Sequence, residues 1–254
     1  MSKAIWSPTG WGIGINLVAE KGGGIIEPLA RMQRARAVLR PAWFQTWCVV
    51  EGSEFEGFAP AAERGWTGDT VPSADELQVV RGRTVLLLNE PEAVWKPEAA
   101  AEQTARSLWR LRRMGVPFHW AAPGSNVNGV NMDWLEAYAA ELWQLGGEMP
   151  TLWAIHLYAP RVDWAETHLA RFWRWHGSHG GSRRVLITEC GAGKGRDVET
   201  QGRMMPWFAG LLGDQRVQGA AWFAAFDYVD QQTYWGVMDQ EPLLAAWRAV
   251  QQRL

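Results

Sequence analysis

The chain alternates short, continuously apolar runs with longer stretches of helical periodicity, and this rhythm constrains its fold more than any other feature. The apolar runs are GIGIN at 12–16, AVLR at 37–40, TVLLLNEPE at 84–92, VPFHWAAP at 116–123, LWAIHLYA at 152–159, RRVLITECGA at 183–192 and VQGAAWFAAFD at 217–227. Helical spacing fills 97–115, where Ala101, Ala105, Leu108 and Leu111 fall near one face and Gly115 stands as a C-cap. It recurs at 132–147, 164–177 and, in a shorter form, 204–212. Val85 to Leu88 are apolar at successive positions, as a strand buried on both faces requires. Strands alternating with helices predict a parallel sheet covered by helices.

With 254 residues and no linker, charge block or internal repeat, the expected fold is a single (β/α)8 TIM barrel domain over 1–254. Seven strands are legible. The eighth is expected between 42 and 80, where Trp47-Cys48-Val49-Val50 is either that strand or a continuation of the second. A doubly wound open sheet is the alternative. The chain lacks an early GxGxxG turn: GWGIG at 10–14 has the wrong spacing, and GKG at 193–195 lacks the Ser or Thr of a phosphate loop.

Several function classes are disfavoured. The 25 basic and 27 acidic residues leave a net charge of -2, without the basic excess of a nucleic-acid binder. Cys48 and Cys190 are too few for a disulfide framework, and neither belongs to a metal-spaced cluster. His119, His168, His176 and His179 form no recognisable ligand set, so neither metal nor other cofactor is expected. No run approaches the roughly 18 apolar residues of a membrane span. MSKAIWSPTGWGIG does not read as a signal peptide, so a cytoplasmic protein, or one released by lysis or a non-classical route, is expected. The 18 Trp residues are an excess. More than half are expected in the core, but a pocket lined with indoles also suits the apolar faces of sugar rings.

Chemistry gathers at the strand C-termini, which in a barrel converge on one mouth. Asn89 and Glu90 follow Leu86-Leu87-Leu88; His156 and Tyr158 interrupt an apolar strand; Glu189 follows Ile187-Thr188; Trp222 lies late in the last strand; Arg40 closes the second. One carboxylate after a strand is commonly a cap or turn residue. Two of them, with an amide, an imidazole, a phenol and an arginine at matching ends, form a constellation. Further groove candidates in or near strand-end loops are Trp43, Trp47, Trp120, Asn126, Asn128, Tyr228 and Trp235.

NEPE at 89–92, HLY at 156–158, ITE at 187–189 and Trp222 resemble the clan A retaining glycoside hydrolases. LLLNEPE, AIHLYA and LITECG are most similar to the small barrel β-1,3-glucanases related to alkali-sensitive-linkage proteins. The resemblance implies Glu90 as acid/base, Glu189 as nucleophile, Asn89 against the sugar 2-hydroxyl, Tyr158 orienting the nucleophile, His156 positioning a carboxylate or binding sugar, and Trp222 as a platform under the ring. Glu90 would then need a raised pKa and Glu189 a cation, for which Arg40 is the candidate. The two carboxyl groups should stand roughly 5–5.5 Å apart. His-Leu-Tyr replaces the commoner His-Trp-Tyr, and the N-terminal third has no clear third-strand match. Rival readings are a related enzyme for mannan, xylan, β-1,4-glucan or a bacterial glycan, a barrel that only binds glycan, and an interaction module whose Trp residues contact protein.

Overall fold

The computed structural model describes residues 5–15, 28–47, 49–50, 52–53, 55–62, 72–128, 132–146, 148–226 and 236–254. Cys48, Tyr228 and Trp235 lie outside them. In chain order the elements are β1 (Gly10–Gly14), α1 (Pro28–Leu39), β2 (Trp43–Gln45), β3 (Phe58–Ala59), β4 (Ala61–Ala62), α2 (Ala74–Val80), β5 (Thr84–Leu87), α3 (Pro97–Arg113), β6 (His119–Asn126), α4 (Met132–Gly146), β7 (Leu152–Tyr158), α5 (Val162–Trp175), β8 (Val185–Gly191), α6 (Val198–Gly210), β9 (Val217–Phe223) and α7 (Glu241–Gln251). No helix among the described residues is long and apolar enough to cross a membrane.

The strands form one parallel sheet in the order β3-β2-β1-β9-β8-β7-β6-β5-β4. The expected eight-stranded (β/α)8 barrel is therefore corrected to a nearly closed sheet of nine strands with seven α-helices among the described residues. Its two end strands, β3 and β4, are separated in sequence by Pro60 alone. Proline has no N–H to give the ladder, so pairing breaks there, although the Pro60 carbonyl still accepts the Leu86 N–H at 2.8 Å.

Two further expectations in the N-terminal third are corrected. AVLR at 37–40 is not a strand: Ala37 to Leu39 end α1, which buries Met32, Ala35 and Leu39 at helical spacing, and Arg40 follows it. The second strand is Trp43–Gln45, and Trp47–Val50 contains no strand among its described residues. Helices α3 and α4 follow the expected ranges, α5 starts two residues early and α6 starts at Val198 rather than 204. Helix α3 opens with Pro97 in its first turn, closes with Arg110, Arg112 and Arg113 favourably placed against its dipole, and is followed by Gly115 at φ +66°. The unpredicted α2 opens with a capping box in which Ser73 and Glu76 satisfy each other's backbone N–H.

The packing has two layers. The larger lies between sheet and helices and includes Ile13, Leu87, Trp153, Ile187 and Trp222. The inner layer fills the barrel with Trp43, Leu86, Leu152, Leu186 and the small residues Ala59, Ala61, Ala121, Ala154 and Ala221. Trp43 plugs the floor and donates its indole N–H to the Gly10 carbonyl at 3.0 Å. It fits because two neighbours have no Cβ: one on Gly12 would lie 2.4 Å from the indole, and one on Gly219 would lie 3.1 Å from its nitrogen.

Candidate active site

Polar side chains occupy the open end of the barrel above that floor. Strand β5 ends in a turn with positive φ at two non-glycine residues, Leu88 (65°) and Glu90 (43°). Such conformations cost about 1–3 kcal/mol each and persist only where neighbours hold them. Here the neighbour is β6. It bulges between Pro123 and Ser125, and Gly124 (φ +64°) accepts the Glu90 N–H through its carbonyl at 3.0 Å. A Cβ on Gly124 would stand 2.7 Å from the Leu88 carbonyl oxygen, so glycine permits the approach that fixes the turn.

Glu189 rises from β8 and is buried. Its Oε1 accepts the Trp47 indole N–H at 2.6 Å and its Oε2 accepts the Tyr158 hydroxyl. Gly14 leaves room for that indole: a Cβ there would be 3.0 Å from the Trp47 ring. Between the glutamates stands buried His156, with Nδ1 3.1 Å from Glu90 Oε1 and 3.5 Å from Glu189 Oε2. One ligating atom from each of the three lies within 4.8 Å of the others. An N–H and an O–H aimed at the two oxygens of Glu189 suit a free carboxylate rather than a cation's ligand.

The proton affinities follow from this geometry. The hydrogen bond with His156 holds Glu90 below the usual carboxylate range despite burial, with the imidazolium charge and Asn126 helping. Burial pushes Glu189 up, against the opposing pull of His156, Tyr158 and Trp47. For His156 burial disfavours the charged form, but the carboxylates of Glu189 and Glu90 outweigh it and raise the pKa. The free site thus reverses the order expected of an acid at Glu90 and an ionised Glu189. Glu90, paired with His156 at 3.1 Å, is also the more exposed carboxylate, its side chain 35% accessible against 6% for Glu189.

Six of the expected site residues make up or touch this cluster. Besides Glu90, Glu189, His156, Tyr158 and Trp47, the Asn126 side chain interacts with Glu90. Asn89 lines the small cavity below, with Gln45, Thr46, Trp47, His156 and Thr188. Asn128 holds the strand carrying Tyr158, its amide donating to the Tyr158 carbonyl and accepting the Tyr158 N–H.

Four candidates lie elsewhere. Arg40 follows α1 and precedes β2, so it is exposed at the opposite end, where its carbonyl accepts Gln251; it is not the cation beside Glu189, and His156 occupies that place. Trp43 is the floor plug. Trp120 is the second residue of β6, is buried against the helices and reaches Glu148 at 3.3 Å. Trp222 points outward against Phe208 of α6. The next residue, Phe223, faces the mouth and packs edge-on to Trp47 (5.2 Å) and Tyr158 (6.0 Å). Alternation along β9, with Ala221 inside and Trp222 outside, carried that signal. Phe223 and Gln45 were both missed from the sequence.

A barrel mouth holding two close carboxylates, one open to solvent and one buried among hydrogen-bond donors, is an arrangement that glycoside hydrolysis can use. The chain belongs to the family described as the glycosyl hydrolase catalytic core, which matches residues 61–246. By family it is a glycoside hydrolase. Among solved structures, it is similar to a GH128 (subgroup I) endo-β-1,3-glucanase from Amycolatopsis mediterranei in complex with laminaritriose, with 20% identity, TM-score 0.66 and coverage of 95% of this chain and 99% of that one. A GH128 (subgroup II) endo-β-1,3-glucanase from Pseudomonas viridiflava matches with 17% identity, TM-score 0.66 and coverage of 95% and 98%. A GH128 (subgroup VII) oligosaccharide-binding protein from Cryptococcus neoformans matches with 13% identity, TM-score 0.65 and coverage of 97% and 95%. At these identities the likeness is one of fold. No curated protein matches the chain in sequence.

Proposed function

We propose that this chain hydrolyses β-1,3-linked glucan with retention of anomeric configuration, Glu90 acting as acid/base and Glu189 as nucleophile. The observation that carries the reading is the approach of the two carboxylates to within 4.8 Å between oxygens. Retaining pairs stand roughly 5–5.5 Å apart, whereas inverting pairs leave roughly 6.5–9.5 Å for a water. The β-1,3-glucanases sharing the fold support the substrate class.

In this mechanism a glucosyl unit seats against Phe223 and Trp47, with Asn89 and Asn126 toward its hydroxyls. Seating removes water from Glu90 and raises its proton affinity. The proton on His156 Nδ1 crosses 3.1 Å to Glu90 Oε1. Glu189 attacks the anomeric carbon while Glu90 protonates the departing oxygen, leaving a glycosyl ester. Glu90, now ionised, takes a proton from water, which attacks the same carbon and frees Glu189. Trp47 and Tyr158 keep the nucleophile aligned.

The experiment is reducing-sugar release from laminarin, mixed-linkage glucan, β-1,4-glucan, mannan and xylan by the wild type and by Glu189→Gln. Product from laminarin that disappears with Glu189→Gln is the expected result. Release from a different polysaccharide alone contradicts the substrate, and oligosaccharide binding without any product contradicts hydrolysis.

A further inference from the structure

Glu92 has no part in the chemistry just described, yet it is built into the same turn. It sits in a short 3-10 turn, Pro91–Ala93, two residues after Glu90. Its Oε1 accepts the backbone N–H of Asn126 at 2.7 Å. The Glu90 N–H meanwhile donates to the Gly124 carbonyl at 3.0 Å. The turn therefore grips the end of β6 at two points two residues apart, one through backbone and one through the Glu92 side chain. Asn126, fixed by this second grip, places its own side chain on Glu90 and on the Asn128 N–H.

The other oxygen of Glu92 is unusual. Oε2 is buried, and neither it nor the neighbouring Ser125 hydroxyl on β6 makes a well-formed hydrogen bond, although Ser125 favours the Glu92 carboxylate and so works against the effect of burial. A buried carboxylate oxygen without a donor is costly, whereas a neutral carboxyl in the same place loses far less solvation. The charged groups around it give weak compensation: His156 on β7 attracts it, and Glu90 in its own turn is a carboxylate itself, while β6 offers only the uncharged Ser125 and Asn126 groups. Burial accordingly pushes the Glu92 carboxyl above the usual range.

We propose that Glu92 is a positioning residue held as the neutral acid, its Oε1 anchoring Asn126 and its Oε2 carrying the proton, so that the Glu90 turn is pinned to β6 without a third negative charge beside the reacting pair. This rests on Glu90 being the acid/base, and the test has one arm that does not.

The full chain would be compared with Glu92→Gln and Glu92→Ala. Glutamine keeps the acceptor oxygen and is neutral, so its kcat on laminarin should stay within about threefold of wild type, with the pH profile unmoved. Alanine loses the anchor, and kcat should fall by about 10- to 100-fold with KM little changed, the scale expected when a reacting group is misplaced by an ångström or less. A Gln variant as impaired as Ala, or an Ala variant as active as wild type, overturns the proposal. The second arm is thermal melting from pH 4 to pH 8. A carboxyl whose folded pKa is raised loses stabilisation as pH rises through that pKa. The melting temperature of Glu92→Gln should therefore gain on wild type as pH rises. A melting temperature of Glu92→Gln that stays constant or falls relative to wild type as pH rises overturns the neutral-acid assignment even if the protein cleaves no glucan.

Discussion

Trp43 and Trp47 stand four residues apart, and they show how the two ends of one barrel interior are made by different physics. The floor is shape: Trp43 fits because Gly12 and Gly219 leave room and alanines surround it. The mouth is charge: Trp47 gives its N–H to a buried carboxylate, and its neighbours are an imidazole, a phenol and a second glutamate. The floor gains stability from close packing. The mouth gives some up, in the positive φ of Leu88 and Glu90 and in the burial of Glu189. That division separates the residues that keep the fold from those expected to perform the reaction.

Substitutions should break the two ends differently. Trp43→Ala should have the largest effect on stability, a loss of about 3–5 kcal/mol in chemical denaturation, while kcat per folded molecule stays near wild type; loss of turnover with stability intact would place Trp43 in the site. At the mouth, Tyr158→Phe removes a hydrogen bond to a carboxylate, worth about 1.5–3 kcal/mol. Its kcat should fall by about 10- to 100-fold, with a smaller loss of stability than Trp43→Ala. Trp47→Phe keeps the edge-on packing with Phe223 but drops one donor, and a loss of about tenfold is expected, since Tyr158 and His156 still act on Glu189. Arg40→Ala, at the far end, should change kcat/KM by less than about twofold and stability by less than about 0.5 kcal/mol.

The pH dependence sharpens the same contrast. In the proposed mechanism Glu189 must be ionised to attack, and burial raises its pKa above 4.5, so the acid limb of kcat/KM should fall at a pH above that of an ordinary glutamate. The basic limb should follow loss of the His156 proton, above the usual 6.5 because two carboxylates face it. Trp43→Ala should leave both limbs in place. Tyr158→Phe should move the acid limb upward, because Tyr158 favours the ionised form of Glu189.

The mouth was more legible in the sequence than the rest of the barrel. Glu90, His156, Tyr158 and Glu189 stand out because each ends or interrupts a run that is otherwise apolar on both faces. Their mutual contacts, and the direction of each proton affinity, depend on exposure and on Trp47 and so could not be read from spacing. The N-terminal third misled for a physical reason. Val38 and Leu39 look strand-like locally, but burial at Met32, Ala35 and Leu39 follows a helix, which carried Arg40 to the wrong end. The strand pair around Pro60 is short and broken, with no apolar run to announce it. Trp222 missed the mouth by one residue, since successive strand residues face opposite sides.

The most direct measurement is proton NMR of the first product released from laminarin, recorded before mutarotation equilibrates the anomers. The retaining reading of Glu90 and Glu189 predicts that the β-anomer appears first and the α-anomer grows later. Initial release of the α-anomer would contradict it, because it would require water, not Glu189, to attack the anomeric carbon.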